Sequence, residues 1–169
     1  MIILVGGGSR SGKSRQALSC ASRPFAIGGK YFIATAETLD QEMQARADGH
    51  RAERGRDFTN IEEPLDLAGA ISRVPTNAQS IVVDCLTLWV SNLMLAGLDV
   101  RQAADAALAA AKAHPATVVL VTNEVGCGIV PDSELVRRFR DETGWLNQQA
   151  AASASQIWWM IFGCPLQVK

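Results

Sequence analysis

Residues Gly7-Gly8-Ser9-Arg10-Ser11-Gly12-Lys13-Ser14 form a complete G-x-x-x-x-G-K-S stretch, separated from the apolar run Ile2-Ile3-Leu4-Val5 by the single residue Gly6. A buried strand feeding a glycine-rich turn and then a helix aims consecutive backbone N–H groups at the phosphates of a nucleotide. In such a loop Lys13 reaches the β- and γ-phosphates, and the Ser14 hydroxyl sits on Mg²⁺. A second polar position of the same kind ends another apolar run, Ile81-Val82-Val83-Asp84. A carboxylate there helps to hold the metal, and with the loop present we favour that role for Asp84 over capping of the following helix. Thr87 and Asn92, just downstream, are either substrate-facing or buried polar groups.

A less ordinary arrangement is Glu42, Arg46, His50 and Arg54, one residue per turn if the segment is helical. An imidazole between guanidinium groups suits attack on an anionic phosphorus, because neutral histidine is nucleophilic and neighbouring cations favour the neutral form. The composition leaves a second reading open, a solvated charge-laced surface helix weakened by Gly49.

These residues need a scaffold, and the rest of the chain supplies the signals for one. Strands are expected at Ile2–Val5, Tyr31–Thr35, Ile81–Asp84, Thr117–Thr122 and Ile157–Phe162, with a short one at Leu166–Val168. Helices are expected at Arg15–Ala21, Gln41–Arg54, Leu65–Ser72, Leu86–Ala96, Val100–Ala113 and Glu134–Ala154. Continuous apolar strands alternating with helices imply a three-layer α/β P-loop nucleotide-binding fold with a mostly parallel sheet. Gly163-Cys164-Pro165 is too short for a crossover, so the last strand is expected to be an antiparallel C-terminal edge strand. At 169 residues, with no internal repeat, the chain is read as a single domain over 1–169.

Sixteen basic and 17 acidic residues leave a net charge of −1, which carries no electrostatic footprint for nucleic acid or an anionic membrane. The four cysteines lie far apart, which argues against a zinc site or a disulfide framework and for reduced thiols in a cytoplasmic protein. No apolar run approaches the length of a membrane span, and no export signal is expected.

Taken together, the motifs are similar to those of the bifunctional adenosylcobinamide kinase / adenosylcobinamide-phosphate guanylyltransferase family of cobalamin biosynthesis, nearly end to end. The marks are the 7–14 loop, Ile33-Ala34-Thr35-Ala36, Asp40-x-Glu42-Met43-x-x-Arg46-x-x-x-His50-x-x-x-Arg54 and Glu62-Glu63-Pro64. They continue with Asp84-Cys85-Leu86-Thr87-Leu88-Trp89-Val90-Ser91-Asn92-Leu93 and Asn123-Glu124-Val125-Gly126-x-Gly128-Ile129-Val130-Pro131. Arg138-Phe139-Arg140-Asp141-x-x-Gly144-x-x-Asn147-Gln148, Gly163-x-Pro165-Leu166 and Lys169 complete them. The loop alone is common to many enzymes, whereas the 123–131 stretch together with the histidine segment is specific.

The resemblance implies two reactions. The aminopropanol hydroxyl of adenosylcobinamide takes the γ-phosphoryl group of ATP or GTP. His50 then attacks the α-phosphorus of GTP, and the resulting GMP-histidine passes GMP to adenosylcobinamide-phosphate. It further implies nucleotide contacts from the 7–14 loop, Thr35, Ala36, Glu37, Arg51, Ala52, Glu53, Arg54, Glu62 and Asp84, with Lys13 and His50 catalytic and Ser14 and Asp84 toward Mg²⁺. A homotrimer is implied as well. The 123–131 loop is expected to contact corrinoid or nucleotide. Phe58, Asn60 and Trp145 stand where the family more usually has tryptophan, threonine and a basic residue. His114, beside Pro115 at a helix end where a cation suits the dipole, is given no catalytic part. The competing classes are a small-molecule kinase without the second activity, a P-loop NTPase switch, and a non-catalytic nucleotide-binding module.

Overall fold

The computed structural model describes residues 1–22, 28–36 and 57–169. In chain order the elements are β1 (Ile2–Gly7), α1 (Lys13–Ala21), β2 (Lys30–Ala34), β3 (Phe58–Glu62), α2 (Leu67–Arg73), β4 (Ser80–Asp84), α3 (Leu86–Leu95), α4 (Val100–Ala113), β5 (Thr117–Val121), α5 (Glu134–Ser153), β6 (Gln156–Ile161) and β7 (Cys164–Gln167). The strands join into one seven-stranded sheet of order β3-β2-β4-β5-β1-β6-β7, parallel except for the β6–β7 pair. The expected architecture and its antiparallel C-terminal edge strand are thus found. The expected helix over Gln41–Arg54 lies outside the described residues.

The central strands are apolar along most of their length, with polar residues only at their ends, because both sheet faces are covered. Ile2, Leu4, Ile33, Ile81, Val83, Val118 and Leu120 face α2 to α5 and meet Leu67, Ile71, Trp89, Leu93 and Leu146. Their neighbours Ile3, Val5, Phe32, Val82, Val119 and Val121 point the other way, toward Ala17 and Ala21 of α1. This period-two division is what a doubly covered parallel sheet demands. The alanines bring α1 close to the sheet, and with it the loop that precedes the helix.

Helix ends follow local chemistry. Asp99 caps α4 by accepting from the N–H groups of Arg101 and Gln102, and Asp66 caps α2 by accepting from Gly69 N–H. Helix α3 is capped by Cys85, whose Sγ accepts from Leu88 N–H at 3.5 Å, so Asp84 does not serve as its cap.

One strand was not expected: β3 at the sheet edge, paired in parallel with β2. Of its residues only Phe58 is buried, its ring edge-on to Phe32 at 6.4 Å between centroids. The family departure at Phe58 is therefore accommodated as a core aromatic. Trp145 is likewise a packing residue, with the Arg101 guanidinium 5.1 Å from its ring centre and joined through Nε to Glu142.

His114 is a structural polar group. Its ring is buried; Nδ1 accepts from Ala116 N–H and Nε2 lies 3.1 Å from Val74 O. Through these two contacts the ring stitches α4 to the end of α2. Trp158 packs beside the α1-side core. The Trp159 ring lies over Gly6, where an added Cβ would stand 3.3 Å from it.

Candidate nucleotide site

The 7–14 loop leaves the carboxyl end of β1 and enters α1 beside the ends of β4 and β6. Two glycines are required by its path. At Gly7, φ is 151° and a Cβ would stand 2.8 Å from Met160 O. At Gly12, φ is 92° where the chain turns into α1. The helix N-terminus, with its unpaired N–H groups, faces a cavity of about 960 Å³. Ser9 to Arg15, Leu18, Asp84, Cys85, Asn123, Phe162 and Gly163 line it.

Lys13 is buried, and its Nζ donates to Gly8 O at 2.5 Å across the loop. Burial lowers its pKa below the ordinary lysine value, opposed by Cys85 and Asp84. Ser14 Oγ donates to Asp84 Oδ2 at 2.7 Å. The loop of β1 and the carboxylate ending β4 are thereby brought together, as their sequence motifs implied.

Asp84 is set in place by the residue after it. The Asp84–Cys85 peptide bond is cis. Thr35, fully buried, donates through Oγ1 to Cys85 O at 2.8 Å and accepts from Cys85 N–H at 2.9 Å. The Thr35 hydroxyl is thus committed to backbone, which gives this residue a positioning role in place of a side-chain nucleotide contact. Asn92 Nδ2 donates to Thr35 O and Pro64 O, and Thr87 Oγ1 accepts from Asn123 N–H, so both are structural polar groups. Burial first, then Asp84, pushes the Cys85 thiol from 9.0 up to about 11.

The 123–131 loop starts at the cavity wall. Thr122 Oγ1 donates to Asn147 Oδ1, Asn147 Nδ2 donates to Asn123 O, and Glu124 Oε1 accepts from Gly126 N–H. Its tip presents Ile129 and Val130 to solvent, 97% and 64% exposed. Arg137 Nη1 fixes the far end through Pro131 O and Asp132 O.

The remaining expected residues divide in two. Ala36 follows β2, and Glu62 ends β3; both are absent from the cavity wall. Register places Asp84 and Glu62 on either side of Ala34, so two strand spacings, about 10 Å, separate them. Glu37, His50, Arg51, Ala52, Glu53 and Arg54 lie outside the described residues. Sequence reasoning missed Arg15, Leu18, Cys85, Phe162 and Gly163 as wall residues. Arg15 and Cys85 carried a signal, being adjacent to Ser14 and Asp84, and Gly163 stood among the family marks; Leu18 and Phe162 carried none.

The oxygen pair of Ser14 and Asp84 suits Mg²⁺, which takes one or two protein oxygens and completes its shell with water and substrate phosphates. No cluster of three or more His, Cys, Asp or Glu that could hold a metal occurs among the described residues. No helix among them is long and apolar enough to cross a membrane.

The fold alone is shared with distant proteins. The flagellar accessory protein FlaH of Methanocaldococcus jannaschii superposes with a TM-score of 0.51 at 11% identity, covering 99% of this chain and 77% of that one. A KaiC-like protein of the hyperthermophilic archaeon Pyrococcus horikoshii gives 0.50 at 11%, covering 94% and 69%. The bifunctional adenosylcobalamin biosynthesis protein CobU of Escherichia coli K12 is 39% identical over the full length of both chains. The corresponding CobP of Pseudomonas aeruginosa PAO1 is 39% identical, over 98% of this chain and 96% of that one. The profile of the cobinamide kinase / cobinamide phosphate guanyltransferase family matches residues 3–168, and the chain belongs to that family.

Proposed function

We propose that the chain phosphorylates adenosylcobinamide with ATP or GTP and then transfers GMP from GTP to the phosphate it has made, giving adenosylcobinamide-GDP and pyrophosphate. The observation that carries the first half is the Lys13, Ser14 and Asp84 constellation at the floor of the loop cavity. Phosphoryl transfer asks chiefly for positioning and for neutralisation of phosphate charge. The loop N–H groups hold the phosphates, and Lys13, already buried and charged against a loop carbonyl, places its cation on the β- and γ-phosphoryl oxygens. Ser14 and Asp84 hold Mg²⁺, which when bound adds further charge neutralisation. Thr35 fixes Cys85 and so the direction of the Asp84 carboxylate.

For the second half the family resemblance supplies His50 as nucleophile, with Arg51 to Arg54 beside it and Glu37 and Glu62 toward the nucleotide. The imidazole attacks the α-phosphorus, pyrophosphate leaves, and the substrate phosphate takes GMP from the ring nitrogen, which is left free for another cycle. The 123–131 loop, at the carboxyl edge of the sheet with an apolar tip, suits contact with the corrinoid. The enzyme works in the cytoplasm as the homotrimer the resemblance implies. A half-exposed apolar groove lined by Met94, Leu95, Leu135, Val136 and Phe139 supports self-association.

Intact-protein mass after incubation with GTP and Mg²⁺ tests the guanylyltransferase half. One added GMP, reversed by pyrophosphate and lost in His50→Ala, is expected. No adduct on the native chain would leave a kinase alone.

A further inference from the structure

The β6–β7 hairpin turns in two residues, Phe162 and Gly163, between the paired Ile161 and Cys164. Both have positive φ, 50° and 82°. Such a turn asks for Asn, Asp or Gly at its first position, and a phenylalanine there is strained. The ring gains no packing in return, since Phe162 is 96% exposed. It is nonetheless part of the wall of the loop cavity, together with Gly163, Arg15 and Leu18. Arg15 Nη2 is 3.5 Å from where a Gly12 Cβ would stand and 3.7 Å from a Gly163 Cβ, so the guanidinium lies between the loop and the hairpin tip.

The cavity lining therefore carries two kinds of chemistry. Lys13, Ser14 and Asp84 suit phosphate and metal; Phe162 and Leu18 add an aromatic face and a leucine, and the Arg15 guanidinium lies between the loop and the hairpin tip. We propose that Phe162 is the stacking platform for the nucleotide's purine, with Arg15 flanking the base and Leu18 closing its apolar side. An aromatic face accepts any purine, because stacking needs only a π-surface. The platform thus serves adenine and guanine alike. This rests on the nucleotide-using reading of the loop and adds to it the subsite for the base.

The test compares binding of GTP, ATP and inorganic tripolyphosphate to the full chain with Mg²⁺, by calorimetry, for the native protein, Phe162→Asn and Phe162→Tyr. Asparagine is at home at this φ, so the variant removes the ring while relaxing the turn. Loss of a stacked base predicts that Phe162→Asn binds GTP and ATP roughly 5- to 100-fold more weakly. Tripolyphosphate binding is expected to stay unchanged, and Phe162→Tyr to retain native affinity for all three. Unaltered nucleotide affinity in Phe162→Asn would overturn the platform, as would an equal loss for tripolyphosphate, which would make the hairpin a mere support for the loop. A loss confined to one purine would overturn the shared use. A native chain that bound tripolyphosphate but neither nucleotide more tightly would also overturn the platform. One that bound none of the three would overturn the reading of the loop itself.

Discussion

Ser14 Oγ and Asp84 Oδ2 stand 2.7 Å apart although 70 positions separate them in the chain. The pair welds the start of α1 to the end of β4 and turns two oxygen donors toward one point of the cavity. Asp84→Asn keeps the acceptor for Ser14 but removes the charge. Phosphoryl transfer to adenosylcobinamide is expected to fall on the order of 10²- to 10³-fold, with a raised Mg²⁺ requirement and an unchanged melting temperature. Native rates at limiting Mg²⁺ would remove Asp84 from the metal site.

Lys13 makes nucleotide affinity depend on pH. Burial lowers its pKa from 10.5, and bound phosphate favours the charged form. Affinity for GTP is therefore expected to weaken as pH rises through the lowered value, before 10.5 is reached. In Lys13→Met the affinity is weaker throughout and this alkaline limb disappears. Equilibrium binding of GTP across the alkaline range, native against variant, reads both effects.

The contrast between β1 and β3 shows which parts of the fold a sequence displays. Ile2 to Val5, the glycines and Lys13-Ser14 are contiguous, and each is the residue its local geometry needs. The motif, the strand before it and the helix after it could therefore be read directly. Phe58-Thr59-Asn60-Ile61-Glu62 forms a strand because β2 offers it an open edge, and only Phe58 is buried. No apolar run marks such a strand, since the signal lies in the partner. The same limit applies within the site. Asp84 was legible from its place at a strand end, but the grip of Thr35 on Cys85 spans 50 positions and leaves no local pattern. Phe162 was hidden differently: it read as the last residue of an apolar strand, whereas it is the first turn residue and points to solvent.

Thr35→Val tests that grip. Valine keeps the shape but takes from the Cys85 N–H its partner, in a place where Thr35 is fully buried, while the Cys85 C=O still accepts from Trp89 N–H. One unsatisfied buried N–H predicts a loss of about 1–3 kcal/mol, a melting temperature lower by roughly 2–12 °C. Thr35→Ser is expected to recover most of it. Kinase activity should fall further than stability explains, because Asp84 is the neighbour of Cys85. A valine variant as stable as the native chain would show that the pair does not anchor the strand end.

The cysteines separate by environment, and the separation can be read chemically. Cys127 and Cys164 are exposed, Cys20 is half-buried with its pKa raised by burial, and Cys85 is buried with its thiol pushed to about 11. At about pH 8, iodoacetamide is expected to add quickly at Cys127 and Cys164 and slowly at Cys20, leaving Cys85 untouched until the protein is denatured. The same shift enters stability. In the unfolded chain the Cys85 thiol ionises near 9.0, while the native state keeps the proton to about 11. Its contribution, about 3 kcal/mol at most, is present in full below about pH 9 and is lost as pH rises through that window. Lys13 works in the opposite sense, because its native pKa is depressed and the unfolded chain holds the proton longer. The two effects partly offset each other, so the informative quantity is the difference between native protein and Cys85→Ala. Urea unfolding at about pH 8 and about pH 10.5 should show stability falling less with pH in the variant, where Lys13 and Cys20, which act in opposite senses, remain. Parallel pH dependence in the two proteins would mean that the Cys85 thiol ionises as readily in the native state as in the unfolded one.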